Sequence, residues 1–157
     1  MEYSFYKLIH ILGVALFLGN IITGLFWMHR AIGTKNISVI SHTMKGIIDA
    51  DTYFTIPCVI VIVAAGFMTA IIGQYPMLTT GWILWPIILF SISGATFTAK
   101  VGPLQKKIHA LAADAETKGT LDWDQFHSMV RAWNLWGAVA VVTPLTAAVM
   151  MVLKVPQ

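Results

Sequence analysis

Four apolar stretches, each long enough to cross a lipid bilayer as a helix, fill most of this 157-residue chain. They cover residues 5–27, 52–73, 81–99 and 134–153, and a helix needs roughly 20 residues to cross the hydrocarbon core of a bilayer. Only 11% of the residues are charged, whereas a soluble domain carries about 25%. The sequence therefore predicts an all-α fold, with one integral membrane domain over residues 1–157 built as a four-helix up-down-up-down bundle.

The basic residues are divided unevenly between the two ends of such a bundle. Lys7 and Lys154 lie on the side that holds both termini. The others lie on the opposite side: Arg30, Lys35, Lys45, Lys100, Lys106, Lys107, Lys118 and Arg131. Since basic residues favour the cytoplasmic side, we expect a bacterial inner membrane protein with periplasmic termini and cytoplasmic longer connections. Because the basic residues flank the spans instead of forming one stripe, we do not expect nucleic-acid binding.

The first cytoplasmic connection has an amphipathic pattern. Apolar residues recur at helical spacing over residues 37–48, which predicts a short amphipathic helix at the membrane surface. We expect Gly33 to end the first span and Asn36 to cap this helix. Asp51 or Thr52 is expected to cap the second span.

The second longer connection is predicted to be a helical hairpin that projects into the cytoplasm. The third helix is expected to continue to about Ala115, and residues 117–119 form a turn. The fourth helix is expected to begin near Leu121, with Thr120 as its N-cap. Pro144 removes one backbone N–H from the fourth helix, and we expect a neighbouring helix to satisfy the carbonyl group that this leaves unpaired.

His10 is the one histidine inside an apolar stretch, and an ionisable group at such a depth is a candidate functional site. The residues that share its helix face, at steps of three and four, are His10, Gly13, Phe17, Asn20, Gly24 and Trp27. The glycines permit either close helix packing or the approach of a flat macrocycle to the backbone. Asn20 is expected to form a hydrogen bond between helices.

A neutral imidazole is the usual protein ligand of haem iron, so we predict a haem b site at His10 with Gly13 and Phe17 beside it. Because the first two spans run in opposite directions through the membrane, we expect Met68 of the second span to lie at about the same depth as His10. The iron ligands are then His10 and Met68, His10 alone, or His10 with a ligand from a partner chain. Copper bound by His10 and methionines is an alternative. A purely structural hydrogen bond from His10 to a backbone carbonyl group is another.

Other metal-binding residue types are sparse. Cys58 is the only cysteine, so the chain has no internal disulfide and no thiolate cluster. His109 and His127 are nearly equidistant from the hairpin turn, and a metal site there is one interpretation. Solvated surface histidines are the simpler interpretation, because no acidic or thiol ligands accompany them at ligand spacing.

Several segments resemble a bacterial family of four-span membrane proteins, the domain of unknown function 2269. They are residues 6–14, 81–83, 103–107, 133–137 and 143–145, with Lys154 near the C terminus. The first helix is also similar to a wider group that includes the HemJ-type protoporphyrinogen oxidase and the copper-resistance CopD-like domain. A Lys-x-x-His motif with a histidine implicated in haem b binding opens the first helix of those oxidases, and Lys7 and His10 match it. Pro86 stands where the oxidases carry a lysine, so the resemblance implies haem binding but argues against protoporphyrinogen oxidation.

Three functions remain open at this point. A membrane haem protein, acting in electron transfer or as an oxidoreductase, agrees with His10. A non-catalytic accessory or scaffold subunit agrees with the small size and the projecting hairpin. Copper or small-solute transport would require an oligomer, because the midplane offers mainly Asn20, Thr23 and the Pro144 kink. In each case we expect the lipid bilayer as a partner, together with a homo-oligomer or partner membrane subunits.

Overall fold

The computed structural model describes residues 1–157, which form helices joined by short turns. The α-helices are α1 (Glu2–Gly33), α2 (Ile37–Ala50), α3 (Ile56–Ile72), α4 (Gly81–Thr96), α5 (Gly102–Lys118) and α6 (Trp123–Leu153). Two π-helical segments, Asp51–Thr55 and Phe97–Val101, join α2 to α3 and α4 to α5 without a break. The result is four long rods, each apolar enough to cross a membrane: Glu2–Gly33, Ile37–Ile72, Gly81–Lys118 and Trp123–Leu153. The all-α, four-helix prediction is therefore confirmed.

Each π-helical segment has a local cause in the sequence, because each ends two residues before a proline. The N–H group of Ile56 donates to the carbonyl group of Asp51, and that of Gly102 donates to Phe97, five residues back in both cases. Proline has no N–H group to donate, and its ring collides with the carbonyl group four residues earlier. A widened turn directly before Pro57 and Pro103 relieves that collision while the helix continues.

The rods pack closely at one end of the molecule and separate at the other. At the hairpin end, where α2 packs on α5, a buried cluster that includes Met28, Met44, Ile108 and Phe126 fills the centre. At the termini end the helices form two close pairs, α1 with α3 and α4 with α6. No Cα atom of α3 lies within 8 Å of one in α4. The main core is therefore outside the predicted midplane, at the hairpin end.

Contacts among the last residues and the turn between α3 and α4 place the C terminus at the termini end. The Lys154 ammonium group lies 5.9 Å from the ring centre of Tyr75 and 5.4 Å from that of Trp82. The N-terminal part of α1 packs against the C-terminal part of α3, where His10 contacts Gly66. Both termini therefore lie at the same end, as an even number of crossings requires.

The predicted amphipathic helix forms as α2, with Asn36 as its N-cap accepting from the N–H groups of Ser38 and Val39. Its apolar side packs against α5, however, and the helix continues into the second rod instead of ending. The prediction of a separate cap at Asp51 or Thr52 is therefore wrong. The helix continues through both positions, because Asp51–Thr55 form a π-helical segment instead of a helix end.

The hairpin has the predicted turn but a different cap. Gly119 adopts φ 73° at the end of α5, a left-handed conformation that glycine adopts without steric cost. The N-cap of α6 is Asp122, whose side chain accepts from the N–H group of Gln125. Thr120 was expected in that role, and the correction is small because α6 begins two residues later than predicted.

Pro144 lies inside α6, and its missing N–H leaves the carbonyl group of Ala140 without its helical donor. The Ser93 hydroxyl group of α4 donates to that carbonyl group at 2.7 Å, and the contact is buried. The expectation that a neighbouring helix satisfies this carbonyl group is confirmed. The hydrogen bond also joins α4 to α6 at a point where both helices are apolar.

Candidate functional site

His10 lies between α1 and α3 near the termini end. Its Nδ1 atom is 2.8 Å from the carbonyl oxygen of Ile62, and the ring is half-buried. Since a carbonyl group only accepts, Nδ1 carries the proton and Nε2 keeps a free lone pair. Gly66 makes room for the ring, because a Cβ atom there would lie 2.8 Å from Nδ1. The contact fixes both the tautomer and the orientation of the imidazole.

The other residues predicted to line a haem site lie on the same two helices as His10 and Ile62. Gly13 is covered by the side chain of Ile62, which would lie 3.1 Å from an added Cβ atom. Phe17 is buried in a cluster with Ile62, and its ring centre lies 5.6 Å from that of Phe90. Met68 lies two residues beyond Gly66, which corresponds to about 200° around α3. His10 and Gly13 therefore both lie against Ile62 of α3.

A buried polar network lies further along α1, where the π-helical segment of the second rod meets α1 and α5. The Thr55 hydroxyl group donates to Asp51 at 2.7 Å, and the Gln105 amide donates to its other oxygen at 2.8 Å. The Asn20 amide donates to Thr55 at 2.9 Å and to Asp51 at 3.4 Å. The prediction that Asn20 bonds between helices is confirmed. All of these bonds converge on one carboxyl group that is only 7% exposed.

A cavity of about 290 Å³ opens beside this network. It is lined by α1, α2, the two π-helical segments, α5 and α6. Three network residues, Asn20, Asp51 and Gln105, form part of its wall, and most of the rest is apolar. Pockets for small molecules start at about 300 Å³ and combine apolar walls with a few polar groups. This cavity has that form.

Trp133, one of the residues that line the cavity, has a buried hydrogen-bond donor without an acceptor. Trp133 is 3% exposed, and its indole Nε1 atom is buried with no partner. A buried donor that makes no hydrogen bond costs about 1–3 kcal/mol. Native structures contain few such groups, and each requires an explanation.

The remaining residues that the sequence singled out lie apart from both sites. Cys58 is buried with Phe17 and Ile62 in a small apolar cluster. His127 is exposed and lies beside Trp123, with 5.6 Å between the ring centres. No three side chains of His, Cys, Asp or Glu are close enough together to form a metal site.

Sequence reasoning missed Asp51 as a site residue because an acidic residue at the start of an apolar stretch fits an N-cap equally well. The signal that was available is Asn20, an amide deep in the first span that must find a partner. Its partners come from the second rod, and Gln105 from the third, so only the packing of three rods assembles the network.

The comparisons with known proteins agree with this architecture. A family model described as a predicted integral membrane protein, DUF2269, matches residues 4–155. No curated protein and no solved structure matches this chain. With nearly the whole chain matched and four rods that can each span a membrane, this protein belongs to the DUF2269 family of integral membrane proteins.

Proposed function

We propose that this membrane protein binds a b-type haem through His10 and takes part in electron transfer or another haem-dependent redox reaction. The observation that supports this proposal is the hydrogen bond from Nδ1 of His10 to the carbonyl group of Ile62. Histidines that bind a metal through one ring nitrogen usually donate the other N–H to a carbonyl or carboxylate group, which orients the ring. His10 has this arrangement, and Nε2 makes no hydrogen bond within the chain.

Charge at the termini end also suits the proposal. Lys7 lies one turn before His10 and is exposed, and it forms no salt bridge. The Lys7 ammonium group, 6.0 Å from the ring centre of Tyr3, would pair with a haem propionate. When bound, the haem would supply reversible one-electron chemistry at iron.

The proposed iron ligands are His10 alone, His10 with Met68, or His10 with a ligand from a partner chain. Met68 is about 200° around α3 from Gly66, and Gly66 contacts His10. This packing supports His10 alone or a ligand from a partner chain more than it supports a His10–Met68 pair.

The test is an absorption spectrum of protein purified from cells supplied with haem, oxidised and then reduced with dithionite. The wild-type protein is expected to show a Soret band and reduced α and β bands, and His10→Ala is expected to lose them. His29→Ala is the matched control, because His29 is exposed at the other end of α1. A colourless wild-type protein without extractable haem would refute the proposal, and so would an unchanged spectrum in His10→Ala.

For the orientation, we propose a bacterial inner membrane protein with periplasmic termini, because most basic residues lie at the hairpin end. A cysteine introduced at Thr79 in a Cys58→Ala background is expected to react with an impermeant maleimide in intact cells. A cysteine introduced at Lys118 is expected to react only after lysis. The reverse labelling pattern would contradict the proposed orientation.

A further inference from the structure

Asp51 is a buried carboxyl group without a cationic partner. The salt bridges of this chain are Lys45–Asp49 and Lys118–Asp114, both at the exposed surface. No lysine, arginine or histidine nitrogen therefore lies within 4 Å of Asp51. Taking a charge out of water costs several kcal/mol unless it is compensated. Hydrogen bonds supply part of that compensation, since Thr55 and Gln105 donate to both oxygens.

The hydrogen bonds also define what Asp51 can do. Thr55, Gln105 and Asn20 each place a donor atom at the carboxyl group, and hydrogen bonds of this kind favour the ionised form. Among the cavity-lining residues only Asp51 and His42 can titrate, and His42 is exposed at the cavity edge. The interior of the cavity therefore contains one carboxyl group and no basic side chain.

Three aromatic residues are among those that line the cavity: Trp27, Phe97 and Trp133. The faces of aromatic rings attract cations within about 6 Å of the ring centre, and quaternary ammonium ligands are recognised in this way.

We propose that the cavity binds a small organic cation of the quaternary ammonium class, with Asp51 as its counter-ion and the three aromatic side chains around its methyl groups. A primary ammonium group fits less well, because its three N–H groups need acceptors and Asp51 is the only carboxyl group among the lining residues. A metal cation such as Ca²⁺ fits less well, because it requires six or more oxygen ligands, whereas half of the lining residues are hydrophobic. The proposal concerns a different site from His10 and does not depend on haem.

The test uses the full-length protein in maltoside micelles, which contain no ammonium group. Binding of choline is measured by equilibrium dialysis and compared with binding of 3,3-dimethylbutan-1-ol, the uncharged isostere of choline. Choline is expected to bind at least about tenfold more tightly than the alcohol, a ratio that corresponds to about 1.4 kcal/mol. Equal binding of the two compounds, or no binding of choline, would overturn the proposal. This comparison requires no substitution, so it is independent of variant folding.

Two variants test the counter-ion. Asp51→Asn keeps the size of the side chain and removes its charge, and it is expected to weaken choline binding at least about tenfold. Asp49→Asn is the matched control, since Asp49 pairs with Lys45 at the surface, and it is expected to bind choline as wild type does. Unchanged binding in a helical, monodisperse Asp51→Asn protein would overturn the assignment.

A quaternary ammonium group can reach the site as a free solute or as a lipid headgroup. The same dialysis with soluble dihexanoylphosphatidylcholine distinguishes the two sources. Tighter binding of choline assigns the site to a free solute, and tighter binding of the short-chain lipid assigns it to a headgroup. In both cases binding must fall in Asp51→Asn, and binding that does not fall counts against the site.

Discussion

Ser93→Ala tests whether one interhelical hydrogen bond compensates for the proline in α6. Ser93 is 3% exposed and donates at 2.7 Å to the carbonyl group of Ala140, which Pro144 cannot serve because proline has no N–H group. Removing the hydroxyl group leaves that carbonyl group buried without a donor. A buried unsatisfied group costs about 1–3 kcal/mol, and hydrogen bonds between membrane helices are worth about 0.6 kcal/mol on average and about 1.7 kcal/mol at most. We expect Ser93→Ala to lower the free energy of unfolding by about 1–2 kcal/mol.

The assay is unfolding in mixed micelles with increasing dodecyl sulfate, followed by far-ultraviolet circular dichroism. Ser91→Ala is the matched control, because the Ser91 hydroxyl group is exposed and donates within its own helix to Ile87. We expect this control to change the free energy of unfolding by less than about 0.5 kcal/mol.

A double-mutant cycle makes the test specific. In a Pro144→Ala background the alanine N–H can donate to Ala140, so the Ser93 hydroxyl group is no longer required. The cost of Ser93→Ala should then fall below about 0.5 kcal/mol, which gives a coupling energy of about 1 kcal/mol. An equal cost in both backgrounds would refute the reasoning, and so would a Ser93→Ala cost equal to that of Ser91→Ala.

Three further substitutions test the local arguments. Gly66→Ala should lower the free energy of unfolding by about 1–3 kcal/mol, because its Cβ atom would lie 2.8 Å from Nδ1 of His10. Gly19→Ala is the control, because the added atom meets open space. It should be neutral or stabilising in the same assay. Equal effects of the two substitutions would contradict the argument. Trp133→Phe leaves a void in the buried core and should lower the free energy of unfolding by about 1–3 kcal/mol, although the donor that it removes has no acceptor; a midpoint in dodecyl sulfate at or above that of wild type would contradict this packing role. Asn36→Ala removes the cap of α2 and should cost about 1 kcal/mol, with faster amide hydrogen exchange in the first turn of α2; unchanged exchange would contradict the cap assignment.

Local patterns in the sequence determined the four membrane-crossing segments, but not the continuation of α2 into α3 as one rod. The length of each apolar stretch is sufficient to identify a membrane-crossing helix, because an unpaired backbone in lipid is too costly for other conformations. The caps at Asn36 and the turn at Gly119 were predictable for a similar reason, since a cap depends on residues within one turn of itself. The sequence also predicted that the carbonyl group left unpaired by Pro144 needs a donor from another helix, because proline has no N–H group.

The tertiary structure decided where the polar groups meet. Two of the partners of Asp51, Asn20 and Gln105, lie 31 and 54 residues away in the sequence, and the carbonyl group that orients His10 lies 52 residues away. Hydropathy and spacing describe which side of one helix a residue occupies, but they contain no information on which neighbouring rod meets that side, or at what height. That choice depends on the packing of all four rods, and it makes Asp51, which the sequence offers as a helix cap, a buried carboxyl group beside a cavity.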